Sequence, residues 1–380
     1  MVDSFLIRPS YVMSCLCYSI FKIEPYPDCA FNCLYCYVRM FPRRIARRAV
    51  IDTYISQLKR VIIEFKRVFG MVPAFRMATL VDPFQERERF FRHSYKAMEY
   101  CLNLGCPLII NTKGTLALEE PWINMIRELG KRRLLVYQPT VTLLDEDAKL
   151  VELQAPLSSE RLEVAKELSR LGIPVVIRLQ PLIPYINTET EYMEELLAEF
   201  KATGARQVIA EFLRFNKANL LLRFKPLFRK HRIPFWQFIR RSLWETIPRS
   251  SHKRPKMKYR EQIMLQLKEI ATSKGLKFSS CREGFYHLHT APNCCGLHYL
   301  GRYLVRPTLL EYLHLDRYFR LLADKNKVVM SEGRIEMLRY GLRRALKKHE
   351  EMIKKVIKDQ SLLLSIAPSS ALGRSLRLEI

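Results

Sequence analysis

Three cysteines within eight residues, Cys29-Ala-Phe-Asn-Cys33-Leu-Tyr-Cys36, are the chain's sharpest chemical feature. The spacing is C-x3-C-x2-C. Three thiolates so close in sequence, set on one loop, can wrap a single small inorganic object. A structural zinc usually takes four ligands, with paired C-x2-C arms separated by a longer span. Here the local set stops at three. Three thiolates suit a cubane [4Fe–4S] cluster with one iron left open, since the usual cluster takes four cysteines. An open iron can chelate a small molecule and pass it an electron. The alternatives are a zinc site completed from afar and cysteines that are merely buried.

A second group follows much later. Cys281, Cys294 and Cys295 share eighteen residues with His287, His289 and His298. An auxiliary cluster or a zinc site is one reading of Cys281, Cys294 and Cys295. Neighbouring side chains such as those of Cys294 and Cys295 diverge, which counts against one shared ion. Cys281 could instead serve as a catalytic thiol, a hydrogen donor or thiolate at the mouth of the fold. Buried cysteines beside loop histidines are the plain alternative. Cys15 and Cys17, on an apolar run, and Cys101 and Cys106, flanking a turn, read as core. Ten cysteines clustered in so long a chain do not resemble a secreted disulfide scaffold.

These residues need elements to hold them. Short apolar runs at Ser19–Glu24, Phe75–Leu80, Pro107–Asn111, Leu134–Gln138, Val175–Leu179 and Gln207–Phe212 predict strands. Between them lie amphipathic stretches, among them Ile51–Phe69 and Ser159–Leu171, the latter stopped by Gly172 and Pro174. Strand then helix, repeated about six times, implies parallel strands with crossover helices. The pattern fits an α/β fold, a closed or partial (β/α)6 TIM-type barrel, with a doubly wound sheet as runner-up. In either, chemistry sits at the carboxyl ends of the strands. Lys113 falls at such an end. Arg178 and Glu211 on later strands would point inward, where a buried charge needs a partner.

Composition narrows the function. The chain has 380 residues, 48% hydrophobic and 27% charged, which excludes wholesale disorder. Its formal net charge is +26. So basic a chain points to DNA or RNA as partner, against the alternative of a solvated basic surface. Arg214 to Arg260 holds fifteen Lys and Arg against one acid, Glu245, with Phe215, Phe224, Phe228, Phe235, Trp236, Phe238 and Trp244 interleaved. Phosphates attract the charges and unpaired bases stack on rings, although an amphipathic helix would bury the same rings. Arg39, Arg43, Arg44, Arg47 and Arg48 add charge directly after the cysteine loop. A helix over Tyr259–Lys274, a strand over Leu276–Ser280 and a basic helical tail over Ile335–Lys358 are also expected. No apolar run reaches the ~18 residues of a membrane span, and the N-terminus lacks a cleavage site, so a cytoplasmic protein is expected.

The cysteine triplet with an aromatic before its last member resembles the radical S-adenosylmethionine (SAM) superfamily. Within it, the chain resembles the spore photoproduct lyases and the DNA repair photolyase-like proteins, from about Glu24 to Phe212. Cys36 lies between Tyr35 and Tyr37, as in the lyases. Asp82-Pro-Phe-Gln85 with Glu88 is similar to the family's Asp-Pro-Tyr-Gln stretch. Asn111-Thr112-Lys113 resembles its Thr-Lys. Glu160-Arg161-Leu162 and Pro181-Leu-Ile-Pro184 match later signatures.

The resemblance implies that Cys29, Cys33 and Cys36 hold a [4Fe–4S] cluster whose open iron binds SAM. Lys113 would pair with the SAM carboxylate, and Gln138 falls near a residue that contacts SAM. Asp82 and Glu88 could orient polar cofactor groups, or else pair with Arg87, Arg89 or Arg92 on a solvated helix. Arg178 is also expected to face the cofactors. An external one-electron reductant would drive SAM cleavage to a 5′-deoxyadenosyl radical, which abstracts hydrogen from a substrate. Tyr35 and Tyr37 could relay a radical, although an aromatic beside a cluster more often packs. The pattern breaks at Thr79, where the lyases carry a hydrogen-donating cysteine. A hydroxyl cannot replace that thiol. Cys281 could stand in for it.

The expected organisation is an N-terminal segment over 1–23, a radical SAM partial barrel over 24–213, a basic aromatic extension over 214–304 and a basic helical region over 305–380. A DNA lesion repair-like activity, an RNA-modifying radical SAM enzyme and a non-catalytic Fe–S or zinc nucleic-acid-binding protein are the functional readings.

Overall fold

Alternate side chains on the parallel barrel strands of this chain face two different cores, and that alternation builds the site. The computed structural model describes residues 7–9, 17–18, 21–36, 38, 51–312, 325–339 and 341–367. Strand β1 (Ile7–Pro9) pairs antiparallel with β2 (Phe21–Ile23). From β2 the wall continues in parallel through β3 (Phe75–Met77), β4 (Leu108–Thr112) and β5 (Leu135–Pro139). Isolated parallel bridges, Tyr137 to Val175 and Thr140 to Arg178, join β5 to β6 (Val176–Leu182), which pairs with β7 (Gln207–Phe212). Helices such as Ile51–Phe69 and Ser158–Arg170 cover the outside. The partial α/β barrel is therefore the fold.

The wall runs past residue 213. After the hairpin of β8 (Trp244–Thr246) and β9 (Lys253–Pro255), the helix Met257–Ser273 crosses over to β10 (Lys277–Ser280). Strand β10 pairs in parallel with β7. A stretch expected as extension thus contributes barrel strand, because Phe278, Ser279 and Ser280 are buried against β7 and the crossover helix. A further parallel pair, β11 (Tyr303–Val305) and β12 (Lys327–Val329), precedes the terminal helices. Helix Leu342–Lys358 buries Leu342, Leu346, His349, Ile353 and Val356 at helical spacing, leaving its basic face outward.

Parallel strands are buried on both faces. Phe75, Met77, Leu108, Ile110, Leu135, Ile177, Leu179 and Val208 pack against the outer helices. The alternate residues Ala74, Ile109, Val136, Val176 and Ile209 form the concave face. Residues 286–309 and the terminal helices fill that concavity, with Cys294, Cys295, Leu297, Leu300, Tyr303 and Val305 against it. Two residues further along each strand the inward layer turns polar: Arg76, Asn111, Gln138, Arg178 and Glu211. The apolar layer closes the barrel, and the polar layer floors a chamber at the carboxyl ends.

The aromatics of the basic stretch build a third core. Phe215, Phe224, Phe228, Phe238 and Trp244 are buried together with Leu220, Leu227 and Leu243. Phe228 and Phe238 lie 4.5 Å apart between ring centroids, and Phe215 meets Trp244 edge-on at 4.8 Å. These rings are core rather than a stacking platform for bases. Trp236, 60% exposed, is the exception among them. Cys101 and Cys106 are buried, as expected of core cysteines. Among the described residues, no helix is long and apolar enough to cross a membrane.

Gly296 sets how deeply the filling segment enters. Its φ is +75°, and a Cβ there would stand 2.8 Å from Val176 and 3.1 Å from Val136. Gly296→Ala should therefore lower stability by about 2–3 kcal/mol, through backbone strain plus overpacking, read as a shifted denaturant midpoint. An unchanged midpoint would show that the segment does not seat on the barrel.

Candidate functional site

The cysteine loop follows β2 and is clamped from two sides. Asn32 sits at φ 52°, which turns the chain between Cys29 and Cys33. On one side, the Ala30 N–H donates to Gln85 Oε1 at 2.9 Å. Gln85 Nε2 in turn donates to the carbonyls of Asp28 and Asp82, both at 3.0 Å. On the other side, the Leu34 N–H donates to the Val151 carbonyl at 2.8 Å and the Gln154 N–H to the Phe31 carbonyl at 3.1 Å. Cys33 and Glu152 form an antiparallel bridge between these contacts. The Tyr35 hydroxyl donates to the Glu152 carboxylate. Tyr35 thus anchors the loop, and Tyr37 lies outside the described residues.

Glu152 binds several parts of the site together. Its side chain is 1% exposed, and Arg161 Nη2 stands 2.5 Å from Oε2. Arg161 also donates to the carbonyls of Thr140 at 3.0 Å and Pro156 at 2.9 Å. Lys113 Nζ lies 3.9 Å from Glu152 Oε1 and 5.4 Å from the centre of the Tyr35 ring. Burial alone would raise the Glu152 pKa, but Arg161 and Lys113 outweigh it and hold the group below its usual value. Burial pushes the Cys33 thiol up to about 12, against the opposing pull of Lys113. Cys29 is pushed up to about 11 by burial and then by Asp82.

Lys113 is held from behind by Asp82. The Asp82 carboxylate accepts from Thr112 Oγ1 at 2.6 Å, the Lys113 N–H at 2.7 Å and the Phe84 N–H at 2.9 Å. It ties the end of β4 to the turn after β3 and pairs with none of the neighbouring arginines. Gly114 permits this approach, since a Cβ would fall 2.1 Å from the Phe84 carbonyl oxygen. Glu88 is fully buried rather than on a solvated helix. It accepts from Tyr26, from the Ser94 and Tyr95 N–H groups at 2.9 and 2.8 Å, and from Trp122 Nε1 at 3.0 Å. Arg87 and Arg89 pair instead with Asp28, Glu86 and Glu119. Thr79 donates to buried Glu24, which also accepts the Leu80 N–H at 3.1 Å.

The polar floor carries the remaining expected residues. Gln138 is buried a layer below Lys113. Its oxygen accepts from Arg76 at 3.1 Å and Arg178 at 3.2 Å, and its nitrogen donates to the Cys295 carbonyl at 2.8 Å. Gln138 therefore bridges two guanidiniums. Arg178 also donates to Gln180, and Glu211 pairs with Arg214 at 3.2 Å and Arg282 at 3.7 Å. Cys294 and Cys295 bring their sulfurs within 3.8 Å here, Cys281 packs against the same cluster, and Arg76 Nη2 stands 2.7 Å from Cys295 Sγ. The histidines stay apart: His289 accepts from the Ser280 N–H at 3.0 Å, and His298 lies against Tyr299. Among the described residues, no three His, Cys, Asp or Glu side chains are already gathered around a single-ion site.

Residues 23–199 match the family model of the radical SAM superfamily. An uncharacterized protein of Mycobacterium tuberculosis is 23% identical over 199 residues, covering 50% of this chain and 57% of that relative. An uncharacterized protein of Acidianus two-tailed virus is 24% identical over 147 residues, covering 38% and 47%. The chain thus spans about half the length of these curated relatives. Among solved structures, a spore photoproduct lyase variant with bound AdoMet and dinucleoside spore photoproduct superposes with a TM-score of 0.55. The identity is 14%, over 72% of this chain and 80% of that one. The lyase complexed with dinucleoside spore photoproduct gives 0.51 at 15% identity, over 67% and 74%. Residues 23–199 are thus similar to the radical SAM domain, a superfamily whose cofactors are a [4Fe–4S] cluster and SAM.

The residues fit that cluster. Cys29, Cys33 and Cys36 stand on one clamped turn, each close enough to influence another's charge. A cubane puts each thiolate on its own iron, so its ligands stand further apart than those of one ion. Burial makes the free thiolates costly, and the positive iron of a cluster relieves that cost.

Glu152 was not singled out from sequence, and its neutralisation can be tested. Its depressed pKa means that its stabilisation is complete above the unfolded value of about 4.3 and is lost as pH falls through the lower folded value. Glu152→Gln should cost about 3–5 kcal/mol at pH 7, by stranding Arg161. The gap to wild type in urea unfolding should close below about pH 4. A gap independent of pH would contradict the ion-pair account.

Proposed function

We propose that this chain, whose residues 23–199 are similar to the radical SAM domain, is an enzyme that cleaves SAM reductively and takes hydrogen from a nucleic acid. The observation that carries the catalytic part is the juxtaposition of the clamped cysteine loop with Lys113 at the carboxyl end of β4. Cys29, Cys33 and Cys36 would hold the cluster, and Lys113 would meet the carboxylate of SAM. With both cofactors bound and an external one-electron reductant, the chemistry supplied is a 5′-deoxyadenosyl radical. The protein's own part is positional. Glu152, Arg161 and Asp82 fix the loop and Lys113, and the apolar layer beneath the chamber keeps water out.

The substrate class rests on charge. The net charge of +26 is the main support. Trp236 stands exposed among the exposed Arg232, Arg240 and Arg241, where a base could stack. Arg39, Arg43, Arg44, Arg47 and Arg48 lie outside the described residues. The shared fold with the spore photoproduct lyases agrees with this reading. The lyases' own lesion reaction is not carried over, since the hydroxyl at Thr79 is engaged by Glu24 and no thiol stands there. No membrane partner is proposed, and the site of action is taken as the cytoplasm.

The test is anaerobic reconstitution with iron and sulfide, followed by SAM and dithionite, in the presence of DNA, RNA or neither. About four irons per chain and formation of 5′-deoxyadenosine are expected, with the nucleoside lost in Cys33→Ala. Nucleic-acid affinity should fall at least ~10-fold between 50 and 200 mM salt. Turnover with no nucleic-acid binding would move the substrate to another class. Salt-sensitive binding with zinc in place of iron and intact SAM would leave a non-catalytic binding module.

A further inference from the structure

The chamber above the apolar layer holds a positive charge that no carboxylate answers. Arg178 lies on the inward face of β6 and is partly exposed there, as are Asn111, Gln180 and Glu211, so solvent enters the barrel at this level. Its Nη1 donates to Gln138 Oε1 at 3.2 Å and its Nη2 to Gln180 Oε1. Both acceptors are neutral amides, and among the described residues no carboxylate pairs with it. Glu211, on the neighbouring β7, is committed to Arg214 and Arg282. Arg76 brings a second guanidinium to the same Gln138 oxygen at 3.1 Å, with its Nη2 on Cys295 Sγ.

Elsewhere this chain matches its inward guanidiniums. Arg161 meets Glu152 at 2.5 Å, Arg260 meets Glu283 at 2.6 Å and Arg214 meets Glu211 at 3.2 Å. A purely structural Arg178 would follow the same rule, because an unpaired inward charge is costly. Burial and the neighbouring Arg76 accordingly pull its pKa below the usual value. Beside it, Gln180 Nε2 is buried with no hydrogen-bond partner. The amide cannot turn over to find one, since Arg178 holds its oxygen. A charge without a counter-charge and a donor without an acceptor stand side by side at the carboxyl ends of the strands. Together they fit one kind of partner, an anion with several acceptor oxygens.

SAM does not supply that anion. It has one carboxylate, which the reading above gives to Lys113, and its sulfonium is positive. Lys113 stands one layer above the Asn111–Gln138 pair, tied to Glu152 and Tyr35. We propose that Arg178 and Gln180, backed by Arg76, form a substrate subsite that binds the phosphate of a nucleotide drawn into the chamber. The assignment rests on the radical SAM reading, which makes this chamber the substrate site. Phosphate suits the subsite better than carboxylate. A guanidinium fork and an amide supply several donors, and two guanidiniums match a terminal phosphate, whose charge is about −2 at neutral pH. A nucleotide reaches this floor only when it is unpaired and out of the stack, so the substrate is a strand end or a single strand rather than a nucleotide stacked in a duplex.

The experiment titrates the full chain with deoxynucleoside 5′-monophosphates, the matching nucleosides, inorganic phosphate and succinate, by calorimetry at ~0.15 M salt, where exposed charges are screened. SAM and reductant are absent, so binding is read whether or not the chain turns SAM over. The monophosphates should bind once per chain, at least ~10-fold tighter than the nucleosides or succinate, and inorganic phosphate should compete with them. Arg178→Gln should weaken them by about 10-fold or more, Arg178→Lys should recover only part of that, and Gln180→Leu should cost about 3-fold or more. Arg127→Gln, on an exposed helix face, should change nothing. Should Arg178→Gln fail to fold, the wild type decides, since a monophosphate should shield Arg178 from phenylglyoxal in peptides mapped by mass. Nucleosides bound as tightly as their monophosphates, a preference for succinate, or a monophosphate held equally well by Arg178→Gln would overturn the proposal. Phosphate binding through Arg178 in a chain that leaves SAM intact would sustain the subsite and overturn the radical SAM reading instead.

Discussion

Glu152 carries a charge where almost no water reaches, and the groups that neutralise it fix the geometry of the site. Arg161 comes from the helix Ser158–Arg170, Lys113 from the end of β4, and Tyr35 from the cysteine loop itself. A buried carboxylate without partners would be too costly to keep charged, so the three elements converge on one point. Because Cys33 is paired to Glu152 through the backbone, the position of the thiols is tied to the position of the charge. Lys113 then stands beside Cys33 for the same reason that it stands beside Glu152. The clamp is local, while its cause is electrostatic.

The barrel supplies the second constraint. Period-two alternation puts Ile109 and Asn111, or Val136 and Gln138, on the same inward face one layer apart. The lower layer is apolar and receives the filling segment; the upper layer is polar and meets the chamber. Arginines at Arg76 and Arg178 would be intolerable one layer lower. At their own level they share the Gln138 oxygen.

How much of this can be read from the sequence follows from what each feature depends on. The strands and crossover helices are visible as periodicity, and the observed elements fall within a few residues of those expected. The cysteine triplet and Lys113 are visible because spacing and strand ends are local properties. Glu152 is not, since it closes an ordinary helix end and matters only through Arg161, Lys113 and Tyr35, which are distant or unremarkable in sequence. Arg161 stands in a family signature that does not state what the residue does. The basic stretch misleads for a related reason: rings at helical spacing suit a core and a stacking surface alike, and only burial of Phe224, Phe228 and Phe238 separates the two. Likewise, Asp82 and Glu88 read as surface or cofactor carboxylates until their backbone donors are seen.

The central claim is that the clamped loop presents three thiolates to a cluster whose fourth iron is open to SAM. The most direct measurement is electron paramagnetic resonance of the reconstituted, dithionite-reduced wild-type chain, recorded before and after SAM is added. The account predicts a reduced [4Fe–4S] signal whose line shape changes with SAM, because the open iron gains a ligand. A signal that SAM leaves unchanged, or a wild-type chain that assembles no cluster, would contradict it.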